Sequence, residues 1–136
     1  TAHRLVMFGR VEWKGESKVD CFNEAGDCIE IDWDNGPTPV QIVLQMIGAC
    51  SLADVQIGLK DREISRIWIE LSSQRKTEAP KVFTAIEMNY FIEGDAPKRL
   101  AKRLVEKSHE KYCTVSNMFK STVDISSNVF VNGEVC

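Results

Sequence analysis

Between Thr38 and about Lys60 the chain carries a run that any fold must accommodate: from Val40 to Leu59, 13 of 20 positions are apolar. Val40, Ile42, Val43, Leu44, Met46, Ile47, Ala49, Cys50, Leu52, Ala53, Val55, Ile57 and Leu59 do not keep to one narrow stripe. A helix wetted along one side shows a polar face, so this one is expected to be wrapped by protein on most sides. Gln41, Gln45, Ser51, Asp54 and Gln56 interrupt it, which argues against a membrane span. The start is well marked. Thr38 is a natural N-cap, Pro39 suits the first helical position, and Gln41 completes a capping-box pattern after the Asn35-Gly36-Pro37 turn. Gly48-Ala49-Cys50 then breaks the large side chains. A helical glycine costs about 1 kcal/mol against alanine, so something is expected to come close there, and the thiol beside it needs a reason.

The totals narrow the function classes. A chain of 136 residues suits one domain, and 43% hydrophobic with 27% charged residues is ordinary for a soluble globular protein. The net charge of −3, with Lys and Arg dispersed, points to neither nucleic acid nor an anionic membrane. No charged-then-apolar leader is visible, and a cytoplasmic location is expected. Cys21, Cys28, Cys50, Cys113 and Cys136 are odd in number and widely spaced, with no C-x-x-C pair. That is a poor disulfide framework and a poor zinc site; free thiols in a reducing compartment fit better.

The remaining elements follow from periodicity. The N-terminal strands occupy residues 1–34: His3 to Trp13, with a bend at Gly9-Arg10, then Lys18 to Phe22 and Cys28 to Trp33 around a turn-rich loop. The central helix spans 38–61. A hairpin at 64–93 sets Ile67, Ile69 and Leu71 against Ile86, Met88, Tyr90 and Ile92. A second helix over 97–112 turns Leu100, Leu104, Val105, Ser108 and Tyr112 to one side and its charges to water. A last strand covers 122–131. The order gives a single α+β domain over residues 1–136.

Two thiols stand out. Cys50 sits deep in the apolar helix, beyond the reach of the helix dipole, with Asp54 one turn on. A buried helical cysteine is most simply a small core hydrophobe; a reactive thiolate there would need a cation from elsewhere in the fold. Cys113 lies where the second helix ends and a short helical piece begins, a setting whose free N–H groups favour a thiolate. Cys21, Cys28 and Cys136 carry no such context. Glu106-x-x-His109 is half of a carboxylate metal motif, and without its other half His109 reads as an exposed helix residue.

Gly36-Pro-Thr-Pro39 opening an apolar helix that reaches Gly48-Ala49-Cys50, with Lys111-Tyr-Cys113-Thr-Val-Ser116 some sixty residues later, resembles the OsmC/Ohr family. These are the osmotically inducible protein C and organic hydroperoxide resistance proteins. The chain looks closest to the small OsmC-like group. The resemblance implies antiparallel sheets packed around a long buried central helix plus a second helix, in an intertwined homodimer. It implies a two-cysteine organic hydroperoxide reductase, without metal or other bound cofactor, acting in oxidative stress. Cys50 would be the peroxidatic thiol and Cys113 the resolving one. An external dithiol, in some relatives a lipoyl group, would recycle them. The family holds its thiolate with an arginine from the N-terminal strands; Arg10, in Gly9-Arg10, is the candidate here, with Arg4 second.

One departure bears on rate. Peroxidase members carry a glutamate ten residues before the cysteine to position that arginine. Here Val40 stands there, followed by Gln41, and a neutral amide orients an arginine less strongly than a carboxylate. Slow turnover is one consequence. A non-catalytic OsmC-like protein holding an apolar ligand in its dimer cleft is another. Metal binding through His109 and Cys113 is a separate reading, which a metal analysis would dismiss.

Overall fold

The computed structural model describes residues 5–136, which divide into two compact units meeting in sequence at Val43 and Leu44. The first unit holds three strands, β1 (Gly9–Gly15), β2 (Lys18–Asn23) and β3 (Cys28–Asp32), paired antiparallel in that order. Val11 faces Cys21 and Ile29 across the sheet, and Trp13 faces Val19 and Ile31, so one side is apolar. Much of that side is uncovered: Val11, Trp13 and Ile29 are exposed. The strand expected from His3 begins only at Gly9, and His3 itself lies outside the described residues.

Helix α1 (Pro39–Gly58) starts as its cap predicts. The Thr38 N–H donates to Gln41 Oε1 at 3.0 Å, and the Gln41 N–H donates to Thr38 Oγ1 at 3.3 Å. By length and composition α1 could cross a membrane. Instead its Ile47, Gly48, Ser51 and Val55 face is buried in the second unit. Val40, Val43, Met46 and Ile57 stand exposed, so the wrapping expected from the sequence is not completed within one chain.

The second unit contains β4 (Ile64–Arg75), β5 (Phe83–Gly94), α2 (Lys98–Lys107), a wide π-type turn (Ser108–Tyr112), α3 (Thr114–Phe119), β6 (Asp124–Val131) and β7 (Glu134–Val135). The sheet order is β4-β5-β6-β7. Strands β4 and β5 form the expected antiparallel hairpin, but β5 and β6 run parallel, a departure from the all-antiparallel expectation. Parallel neighbours need a crossover, and α2, the wide turn and α3 supply it. Ile86, Met88, Tyr90 and Ile92 point from β5 into a core shared with Ile47 and Val55 of α1, Ala101 and Val105 of α2, and Val129 and Val131 of β6. On the outer face Trp68, Phe91 and Phe130 stack across three strands, with ring centres 4.9 and 5.1 Å apart.

Gly48 has its reason. A Cβ there would stand 3.1 Å from Leu71 Cδ1, so the missing side chain lets α1 sit close to β4. Gly94 is constrained twice over, by a φ of +134° and by Glu63 O, 2.5 Å from where a Cβ would be. Gly94→Ala is therefore expected to lower stability by roughly 1–3 kcal/mol in denaturant titrations. An unchanged midpoint would contradict this account of the β5 terminus.

Candidate functional site

The site is assembled where α1, β5 and the segment after α2 meet. Ser51 points from α1 into the core, fully buried, and a buried hydroxyl must find partners. Its Oγ lies 2.5 Å from Tyr90 OH on β5 and 2.8 Å from Ser108 Oγ. Ser108 donates in turn to Asp54 Oδ2 at 2.9 Å. Tyr90 OH lies 2.6 Å from His109 Nε2, and His109 Nδ1 lies 3.4 Å from Ser116 Oγ. A single line of polar contacts thus runs from Asp54 to Ser116.

Proton counting orients the line. Each hydroxyl has one proton to donate, and a carboxylate has none. Because Ser108 gives its proton to Asp54, Ser51 donates to Ser108 and Tyr90 donates to Ser51. Tyr90 can then only accept from His109, so the imidazole proton sits on Nε2 and the Nδ1 lone pair faces Ser116. Burial pushes the Tyr90 phenol well above its ordinary range, which keeps it protonated. Burial likewise holds His109 below the ordinary histidine value, against the opposing pull of Asp54.

The wide turn explains why His109 is here. Cys113 N–H bonds to Ser108 O at 2.7 Å, a span one residue longer than an α-helical bond. The extra residue ends the 3.6 periodicity that placed Tyr112 on the inner face. Tyr112 is exposed, and His109, expected outside, is half-buried. Asn117 Nδ2 clamps the turn by donating to the carbonyls of His109, at 3.2 Å, and Cys113, at 2.8 Å.

Cys113 is fully buried and caps α3, its sulfur accepting the Ser116 N–H at 3.4 Å. The same sulfur lies 4.0 Å from Ile47 O on α1. Burial raises its pKa; the Ser116 hydroxyl and N–H pull the other way, and the adjoining Cys50 thiol adds to the rise. The favourable helix start expected from the sequence is present, and burial outweighs it. Cys50 and Cys113 are sixty-three residues apart in sequence, and the Cys50 side chain is among the groups that raise the Cys113 pKa. They differ in access: Cys50 is half-buried, Cys113 sealed.

Arg10 lies in the other unit, exposed on β1. Its Nη1 is 3.7 Å from Glu12 Oε2, and its guanidinium stands 4.7 Å from the ring centre of Phe22, its cross-strand neighbour. Arg4 lies outside the described residues. No group of three or more metal-binding side chains occurs among the described residues. His109 Nε2 is committed to Tyr90, and Nδ1 faces the Ser116 hydroxyl. Sequence reasoning missed Ser51, Tyr90, Ser108 and Ser116. Polar residues on otherwise apolar faces were the only signal.

A family model described as OsmC-like protein matches residues 32–128. The chain is similar to Protein YhfA of Escherichia coli K12, with 32% identity over 126 residues, 88% of this chain and 94% of the relative. Among solved structures it is similar to a hypothetical protein from Aquifex aeolicus VF5, with a TM-score of 0.85, 28% identity, and coverage of 95% and 98% of the two chains. An organic hydroperoxide resistance protein OsmC from Legionella pneumophila shares the fold, with a TM-score of 0.63 and 18% identity over 91% and 96%.

The placement of His109 has a measurable consequence. A histidine held below its unfolded pKa of about 6.5 binds fewer protons folded than unfolded, so its contribution to stability is present above that pH and is lost on acidification. Unfolding midpoints are expected to fall between about pH 7 and about pH 5. His109→Gln should make that fall shallower. An identical pH dependence in the variant would place His109 outside the network.

Proposed function

We propose that this chain, which belongs to the OsmC-like family, reduces organic hydroperoxides through Cys50 and Cys113. The influence of the Cys50 thiol on Cys113, one thiol half-exposed and the other buried, supports the reading. Cys50 thiolate attacks the distal peroxide oxygen. The O–O bond breaks, an alcohol leaves, and Cys50 becomes a sulfenic acid. Cys113 then attacks that sulfur, expelling water and closing a disulfide, which an external dithiol reduces.

The partner on this reading is a second copy of the chain. The apolar side of the β1–β3 sheet and the exposed Val40, Val43, Met46 and Ile57 of α1 favour an intertwined homodimer, because so much uncovered apolar surface is uncommon on a monomer. Arg10 is the proposed cation for Cys50. Among the described residues the groups acting on Cys113 include no cation, and Arg10 would supply one at Cys50. Five free cysteines fit a reducing cytoplasm. The Legionella pneumophila structure that shares the fold is an organic hydroperoxide resistance protein, which agrees with the substrate class.

A cavity of about 470 Å³ between α1 and α2, lined largely by Ile57, Leu100, Leu104 and Tyr112, favours one other reading. With Val40 where peroxidase members carry glutamate, the protein would then be a non-catalytic binder of an apolar ligand. A peroxide-inert preparation that carries an apolar ligand would decide for it.

Adding cumene hydroperoxide to the reduced protein should consume two thiols per chain and yield a Cys50–Cys113 linked peptide by mass spectrometry. Cys50→Ser should abolish the reaction, and Cys113→Ser should stop it at a trappable sulfenic acid. Arg10→Ala should slow the first step by at least about tenfold, as expected for losing one hydrogen bond to a charged group. Unchanged thiol counts, or a reactive Cys50→Ser variant, would overturn the proposal.

A further inference from the structure

We propose that Ser116 and His109 form a proton relay serving Cys113: Ser116 takes the proton of the Cys113 thiol and passes its own to His109 Nδ1 as the disulfide closes. The role rests on the two-cysteine reading above and assigns its second half-step to named groups.

That half-step has a specific need. Cys113 is sealed from water and its thiol is held protonated by burial, so solvent cannot take the proton as the sulfur attacks. The Ser116 N–H reaches the Cys113 sulfur at 3.4 Å, the thiol itself points to Ile47 O at 4.0 Å, and the Ser116 hydroxyl lies 3.3 Å from the Cys113 carbonyl and 3.4 Å from His109 Nδ1. Its proton can therefore move from the carbonyl to the imidazole. The oriented chain from Asp54 through Ser108, Ser51 and Tyr90 occupies Nε2–H, which leaves Nδ1 as the basic atom, turned toward the cysteine pair. Bonds balance: the Cys50 S–O bond breaks, the S–S bond forms, and hydroxide leaves from Cys50. The Cys113 proton passes through Ser116 to His109 and is then released through the His109 cavity to solvent, where it neutralises the departing hydroxide, so the net products are the disulfide and one water. No external oxidant or reductant is required.

His109 can pass that proton on. With Ser116 it lines a separate cavity of about 390 Å³ that Glu110, Lys120 and Asp124 also border. The charged and titratable groups facing the imidazole are thus Asp54 from α1, Tyr90 from β5, Cys113 through Ser116, and Glu110, Lys120 and Asp124 around that cavity. Ser116 touches the reacting thiol; His109 acts through it and is a positioning residue.

The test avoids peroxide, so its failure is distinct from failure of the peroxidase reading. In a background of Cys21→Ser, Cys28→Ser and Cys136→Ser, the reduced protein is mixed with an excess of the aromatic disulfide 5,5′-dithiobis(2-nitrobenzoate). Cys50 releases one coloured thiolate as it forms a mixed disulfide. Cys113 releases the second as it closes the Cys50–Cys113 bond, and the first release is the internal reference. His109→Gln, which can still donate to Tyr90, and Ser116→Ala are each expected to slow the second release relative to the first by at least about tenfold, within the usual range for a lost general base. The pH profile separates chemistry from packing. With the relay, the second release should level off near neutral pH. Without it, the rate should climb about tenfold per pH unit, following thiol ionisation. Equal second phases and matching pH profiles in wild type and both variants would overturn the relay. A slowed second phase whose pH profile stays level would do the same, marking a purely structural effect.

Discussion

A hydroxyl buried at the centre of a helix cannot be left without a partner, and Ser51 sets the arrangement of everything around it. An unpaired buried hydroxyl costs about 1–3 kcal/mol, so β5 must present Tyr90 and the end of α2 must present Ser108. Those two bonds hold α1, the sheet and the turn after α2 in one register. The thiols are fixed as a consequence. Ser51 follows Cys50 on α1, and Ser108 opens the wide turn that ends at Cys113.

The same burial that demands polar pairing works against ionising a thiol. Each pKa unit on a sulfur is about 1.4 kcal/mol, and at Cys113 the two contacts from Ser116 do not offset burial. A division of labour follows from access. On the proposed two-cysteine reading, the half-exposed sulfur takes the bimolecular encounter and the buried one the intramolecular step in which a neighbour handles the proton. The oriented line from Asp54 to His109 suits the second task, since it settles which imidazole nitrogen is free.

Much of this was legible in the residues. The capping box at Thr38 and Gln41 formed as read, the 64–93 hairpin kept its core face, and the glycine at 48 marked a close approach by Leu71. The helix start read at Cys113 is present, with the sulfur capping α3. What escaped was local and long-range at once. A single extra residue in the turn at 108–112 inverts the roles of His109 and Tyr112, and helical periodicity has no way to announce it. The parallel pairing of β6 depends on a crossover, which strand patterning does not encode. The serines of the network looked like interruptions of apolar faces because their partners lie 39 and 57 residues away.

The central claim is that Cys50 and Cys113 behave as one redox unit. Equilibrating the protein in graded mixtures of reduced and oxidised dithiothreitol, quenching with acid, alkylating and weighing the peptides tests it most directly. The account predicts that Cys50 and Cys113 lose alkylation together along a two-electron curve while Cys21, Cys28 and Cys136 remain alkylated. Independent loss of the two, or a disulfide joining either one to another cysteine, would contradict it.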